Sequence, residues 1–370
     1  MRRVGEQRSA KIINGAALAV AALFGGVVAA VCVIIWQQPK PVDFLSFWTA
    51  GRMLIAGQPA AIYDIAVHHA VERTVLDDIG VLPFVNPPPF VLMLAPFALL
   101  PFGPAFAAWV AATALAYTAA ARRWMSLRFA FAQPALLING FVGQSAFLTS
   151  ALFLGGLALL DAAPLAGGAL LGLLVIKPQL AAMLAIALIA GRGWRAIGAA
   201  CAAGVGALAI AWAVMGSASY RVFFAVLPVF NEFLAEARWP WRELASIFAL
   251  LRYFGVPSVI ALAVHIVVAL GAAALVWRAW RTNREGKEAL TAAATLLAPP
   301  YILSYDGMLL ALPIGWLIVR RPGWGLAVWA LAMVAVGSVF GLFEGPDTMS
   351  IAALVALIAI DRAPAKPKVQ

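Results

Sequence analysis

The chain has 370 residues, 64% of them hydrophobic and 11% charged, with a mean hydropathy of +0.95. A water-soluble domain, about 45–50% apolar and about 25% charged, could not keep this much apolar side chain from water. The net charge of +10 would suggest nucleic acid in a soluble protein, but in a chain this apolar it marks the Lys and Arg that collect in cytoplasmic loops, and no nucleic-acid partner is expected.

The chain therefore reads as an all-α polytopic membrane protein. Backbone groups in lipid must be satisfied within their own segment, which favours helices, and the short alternating stretches of a β-barrel are absent. The start is basic, with Arg2, Arg3, Arg8 and Lys11 against Glu6, which places it in the cytoplasm. Residues 12–36 form the first span, too long and without the small-residue cleavage site of a signal peptide, so it reads as a retained anchor. Residues 37–86 form an outer loop with two surface helices, one from 44 to 56 and one from 62 to 79.

Asn86-Pro87-Pro88-Pro89 opens the next apolar run, since proline suits a first helical turn. Residues 87–215 form a first helix group, 216–255 a second outer loop, 256–361 a second helix group and 362–370 a basic tail, all in one transmembrane domain. Cys32 and Cys201 lie in apolar runs and read as small buried fillers. Arg192/Arg195, the basic run 278–287, Arg320/Arg321 and the tail all fall on the cytoplasmic side. Seven apolar segments separate the cytoplasmic start from Arg192, and parity demands an even number. Either 87–100 or 129–141 fails to cross, or one basic loop breaks the rule. With Arg192 inside, Gln144 and Lys177 lie outside, on the side that holds Asp43.

Several polar residues carry two readings each. Asp43 follows the first span and is either an N-cap for the next helix or a reactive carboxylate at a wet membrane boundary. Lys177-Pro178 is either a snorkelling lysine or a cation for a lipid phosphate. Gln144 after Gly143 suits an interhelical hydrogen bond. Tyr305-Asp306 reads as a belt residue with a capping acid, and His68-His69 as a solvated helix face rather than a two-His metal site, since neighbours on a helix diverge. Trp239-Pro240-Trp241, with Arg238 and Arg242, suits an anchor or a sugar-stacking wall. No nucleotide-binding loop, zinc spacing or nucleophile elbow appears. No metal ligands and no organic cofactor are expected, and a divalent-metal requirement is left open.

In order along the chain, Asp43, Arg52, Gly57, Tyr63-Asp64, Asn86-Pro87-Pro88, Ala95-Pro96-Phe97-Ala98-Leu99-Leu100-Pro101, Gly143-Gln144 and Ile176-Lys177-Pro178 resemble glycosyltransferase family 87. That resemblance implies a GT-C-like bundle of about 10–13 transmembrane helices and a polyprenyl-phosphate sugar, mannose, as donor substrate. It also implies a lipid or glycan acceptor, and membrane lipids as surroundings. Asp43 matches the family's catalytic acid, and Gln144 and Lys177 match its Gly-Gln and Lys-Pro elements. Several members carry histidines where this chain reads Leu303-Ser304-Tyr305-Asp306.

The implied chemistry is one inverting displacement with Asp43 as base and Lys177 neutralising the phosphate, aided by Arg52 or Arg238. Tyr63, Asp64, Asn86, Tyr305 and Asp306 complete the expected substrate-binding set. The implied location is a bacterial inner membrane, with the site facing the periplasm and both termini in the cytoplasm. The rival is a lipid or sugar transporter, whose polar groups would be strung through mid-membrane rather than gathered in one chamber.

Overall fold

The computed structural model describes residues 2–235 and 241–364, and Arg238 lies outside them. The protein is an all-α polytopic membrane protein, with no strand among the described residues beyond an isolated bridge between Leu244 and Leu303. Five helical stretches are long and apolar enough to cross a membrane: Lys11–Gln37, Phe102–Ala121, Trp194–Val229, Ser258–Arg281 and Pro322–Val339. Five shorter apolar helical stretches accompany them: Pro88–Ala98, Ala146–Leu159, Pro164–Ile176, Pro178–Ala190 and Met349–Asp361.

In chain order, α1 (Arg2–Gln37) is followed by α2 (Phe44–Ile55) and α3 (Ile65–Glu72) in the first loop. Then come α4 (Pro88–Ala98), α5 (Phe102–Ala121), α6 (Leu127–Phe131), α7 (Ala135–Val142) and α8 (Ala146–Leu159). They lead to α9 (Pro164–Gly172), α10 (Ala182–Ala190) and α11 (Trp194–Ala235). The remainder is α12 (Ile247–Tyr253), α13 (Ser258–Arg281), α14 (Lys287–Thr295), α15 (Ala311–Arg320), α16 (Pro322–Val339) and α17 (Met349–Asp361).

Glycines set the closest helix approaches. A Cβ on Gly103 would lie 2.7 Å from the Trp36 carbonyl oxygen, so the start of α5 rests on the last turn of α1. Cβ atoms on Gly168 and Gly172 would collide with the carbonyl oxygens of Ala196 and Ala200, so α9 and α11 meet backbone to backbone. This is the small-residue packing that membrane helices use when no hydrophobic gain separates helix from lipid. α11 is bent at Gly216 (φ 77°, ψ 166°) and stays helical to Ala235, so helix occupies much of the stretch expected as the second outer loop.

The contact at Gly103 bears on the parity problem. α5 begins beside the end of α1, and the Trp48 indole donates to the Leu100 carbonyl at 3.0 Å. Phe90 at the start of α4 packs on Phe47 of α2 and Trp48 of α2 bonds Leu100 beyond the end of α4, so both ends of α4 lie along α2 at one end of the bundle, the arrangement expected if 87–100 is the segment that does not cross.

Basic residues gather at the opposite end. α5 runs down to Arg122 and Arg123, and Trp124 donates to Leu154 of α8 at 2.9 Å. Asp161, Arg192, Arg195, Arg281 and Lys287 line one cavity there. Arg278 and Arg284 hold Asp361, Arg320 pairs with Glu285, and Arg321 donates to the Ala359 carbonyl at 3.1 Å. Cys201 is exposed on α11 and Cys32 half-buried, so neither is the fully buried filler expected; an outward thiol costs little where lipid replaces water.

Candidate functional site

At the end away from the basic residues, a cavity of about 380 Å³ is lined by Asp43, Asn86, Gln144, Lys177, Tyr305 and Asp306, with Ser46 and apolar side chains between them. Each polar group arrives there for a local reason.

Asp43 stands at the N-cap position of α2, yet its side chain makes no capping bond. Its Oδ2 instead accepts a hydrogen bond from Gln144 Nε2 at 2.9 Å. α2 is fixed behind it by aromatic packing: Phe47 meets Phe90 edge-on with centroids 4.9 Å apart, and Phe44 stacks on Trp109 at 6.0 Å. Burial raises the pKa of the Asp43 carboxyl, and the Gln144 hydrogen bond opposes that rise.

Gln144 is delivered by Gly143. α7 ends with Gly143 in the left-handed conformation (φ 71°), where a Cβ would lie 2.7 Å from that of Phe44 and 2.8 Å from the Phe106 ring. Glycine alone fits such a cap without strain. The Trp109 indole donates to the Gly143 carbonyl at 2.8 Å and ties the turn to α5.

Lys177 is delivered by Pro178. The proline ring disfavours helical backbone at the preceding residue, and Lys177 adopts φ −148°, ψ 70° between two 3-10 turns, Leu173–Ile176 and Pro178–Ala181. The hairpin of α9 and α10 therefore breaks with lysine at its tip. Lys177 Nζ donates to Asp306 Oδ1 at 2.5 Å and sits 4.5 Å from the Tyr305 ring centroid. The pair is buried, with side chains 8% and 1% exposed.

Asp306 and Tyr305 lie in the 3-10 stretch Ser304–Leu310. Two groups unmarked in the sequence anchor it. Asn139 of α7, fully buried, donates to the Tyr305 carbonyl at 2.9 Å and accepts from the Ala146 amide at 3.2 Å. Asp347 accepts from the Ser304 hydroxyl and, at 2.6 Å, from the Met349 amide. Burial pushes the pKa of Asp347 up to about 6, against those two hydrogen bonds. For Asn139 the available signal was a polar residue inside an apolar run; Asp347, in a Gly-Pro-Asp turn, gave none.

The other expected residues lie elsewhere. Arg52 is exposed, over the Trp48 ring at 5.6 Å. Asp64 caps α3, accepting from the Ala66 and Val67 amides at 3.0 and 3.1 Å. Tyr63 is buried, donates to the Asn86 carbonyl at 3.1 Å and packs on Phe223, so it supports the cavity wall rather than lining it. His68, expected on a solvated face, is 1% exposed: its Nε2 lies 3.1 Å from Ser46 Oγ and 3.5 Å from the buried Glu72. The Ser46 hydroxyl gives the imidazole a polar partner away from water. Among the described residues no three His, Cys, Asp or Glu side chains gather to hold a metal ion.

The arrangement supplies a carboxylate in a part-buried cavity, an amide that orients it, and an ammonium fixed by a counter-ion with N–H bonds to spare. Phe223 and Leu227 of α11 provide an apolar side. The family model for Glycosyltransferase family 87 matches residues 84–313. No curated protein and no solved structure matches.

Proposed function

This chain belongs to glycosyltransferase family 87, a membrane glycosyltransferase with sugar-donor and acceptor substrates, and on that footing we propose that it moves mannose from a polyprenyl-phosphate donor to a lipid or glycan acceptor. The observation that carries the reading is that Asp43, Gln144 and the Lys177–Asp306 pair line one cavity. A transporter would string such groups along a path through the bilayer.

In the proposed reaction an acceptor hydroxyl oxygen attacks the anomeric carbon from the face opposite the phosphate. Asp43 takes the hydroxyl proton as the new C–O bond forms. The bond from that carbon to the phosphate oxygen breaks, its electron pair leaves with the polyprenyl phosphate, and the centre inverts. Gln144 orients the carboxylate. Burial raises the pKa of Asp43 and so makes its carboxylate a stronger base, and the Gln144 hydrogen bond opposes that rise. Lys177, held on one side by Asp306, offers its remaining N–H bonds to the departing phosphate. The isoprenoid tail lies along the apolar side at Phe223 and Leu227. The reading needs no organic cofactor.

Clustering of basic residues at the far end supports a cytoplasmic placement for that end. The cavity then opens to the periplasm of a bacterial inner membrane, with both termini in the cytoplasm. The test is an assay of purified protein with polyprenyl-phosphate mannose and a panel of lipid acceptors. Asp43→Asn is expected to abolish transfer while expression and donor binding persist, and the product is expected to show inverted anomeric configuration. Undiminished turnover in Asp43→Asn, or retained configuration, would overturn the reading.

A further inference from the structure

The second cavity, at the basic end, has a volume of about 610 Å³ and no part in the chemistry above. That volume falls in the range of small-molecule sites, about 300–1,000 Å³. Arg192, Arg195, Arg281 and Lys287 line it against the single wall carboxylate of Asp161. Among the described residues Arg192, Arg195 and Arg281 have no ion-pair partner, in common with Arg122, Arg123 and Arg321 at this end, whereas Arg278, Arg284 and Arg320 are paired with Asp361 or Glu285; of the unpaired arginines, only Arg192, Arg195 and Arg281 line the cavity. Lys287 is 3.8 Å from Glu288 and 4.5 Å from the Trp280 ring centroid.

The floor is built rather than incidental. The Trp280 indole donates to Thr291 Oγ1 at 2.8 Å, and a Cβ on Gly191 would lie 2.9 Å from the Trp280 ring. Arg192 is held at φ 56°, a left-handed backbone uncommon for a side-chain-bearing residue, while the Gly193 amide donates to the Leu188 carbonyl at 2.8 Å. Helices α9 and α11 both begin at the cavity, at Pro164 and Trp194, and their positive ends add to the field. Trp194 is 63% exposed, in the manner of an indole at a headgroup layer.

We propose that this cavity binds the headgroup of an anionic phospholipid, a phosphodiester carrying net negative charge, from the leaflet at the basic end. Three unpaired arginines beside apolar walls and an outward indole match a ligand that is anionic at one end and apolar at the other. A free phosphate would use the cations but not the apolar rim. A zwitterionic lipid would place an ammonium group among the arginines.

The test uses the full-length protein in a neutral detergent, titrated calorimetrically with short-chain phosphatidylglycerol, short-chain phosphatidylcholine or inorganic phosphate. Phosphatidylglycerol is expected to bind saturably at one site, and the other two to bind at least tenfold more weakly. The R192Q/R195Q double variant is expected to lose about thirtyfold in affinity for phosphatidylglycerol. R122Q/R123Q, at the same end but outside the cavity, is expected to lose less than threefold. Equal binding of phosphatidylcholine, equal binding of inorganic phosphate, or equal loss in both double variants would overturn the proposal. Native mass spectra of the unaltered protein taken from mixed bilayers give an answer that does not depend on variant folding: one retained phosphatidylglycerol supports the site, and retained phosphatidylcholine refutes it.

Discussion

Replacing Lys177 by Met tests whether the Lys177–Asp306 pair serves structure alone or the donor phosphate as well. Asp306 is 1% exposed, its Oδ1 is bonded by Lys177, and its Oδ2 has no partner. Removing one member of a buried ion pair typically costs about 3–5 kcal/mol, because the other charge stays buried and uncompensated. With no second side chain to share the load, Lys177→Met belongs in that range, limited by the carboxylate's ability to take up a proton. Asp306→Asn alone is expected to cost a comparable amount, since it leaves the ammonium buried. The double variant, neutral on both sides, is expected to recover to within about 1 kcal/mol of the original, a coupling of about 5 kcal/mol or more.

The assay is denaturant unfolding in bicelles, run beside transfer kinetics on the same preparations. Stability is expected to return in the double variant but transfer is not. One lost charge-assisted hydrogen bond to phosphate, about 1.5–3 kcal/mol, predicts a fall in kcat/KM of about 10–150-fold. A double variant both stable and fully active would make Lys177 a structural counter-ion only. A stability loss under about 1 kcal/mol in Lys177→Met would deny the buried pair itself.

Gln144→Leu removes the hydrogen bond that holds down the raised Asp43 pKa, so the acid limb of the pH profile of kcat/KM is expected to move to higher pH; an unmoved or lowered limb would separate Gln144 from the base. Gly143→Ala forces a left-handed residue and a Cβ against Phe44, and is expected to cost about 1–2 kcal/mol together with most of the activity; unchanged kinetics would show that the turn does not set the Gln144 position. Asp347 titrates at about 6 when folded against a usual value of 3.8. A raised acid of this kind removes stability as pH climbs through that window, about 3 kcal/mol in all, with nothing further above it. Asp347→Asn is therefore expected to lose less midpoint temperature between pH 4 and 6 than the unaltered protein, while Asp43 keeps its own raised contribution; parallel melting curves would contradict the assignment.

The membrane class was plain from composition alone, because 64% hydrophobic residues leave no soluble alternative. The start of α4 was legible from Pro87-Pro88-Pro89, and the break at Lys177 from Pro178. Whether 87–100 crosses was not, since hydropathy cannot tell an apolar helix packed on α2 and α5 from a short span; the packing of both its ends on α2 favours the first. Cap and free carboxylate could not be told apart at Asp43, because both place an acid before a helix. Only the left-handed Gly143, which brings Gln144 across from a distant segment, separates them.

Arg52 misled by nearness in sequence. It lies nine positions after Asp43, about two and a half helical turns, and so on the opposite side of α2. Asp64 was a cap of the kind weighed for Asp43. The Asn139 and Asp347 anchors join segments far apart in the chain, a relation that no local pattern records.

The hairpin tip at Lys177 has a further consequence for water. Each arm, Pro164–Ile176 and Pro178–Ala190, reaches only about 20 Å from the basic end, whereas the hydrocarbon layer is about 30 Å thick, and any tilt shortens the reach. On the proposed topology, with both arms starting at the basic face, the ammonium would sit roughly 10 Å short of the far side of such a layer. On the proposed reaction, a donor phosphate engaged at that depth would be screened from bulk water, and the hairpin's shortness would then restrain wasteful hydrolysis of the donor.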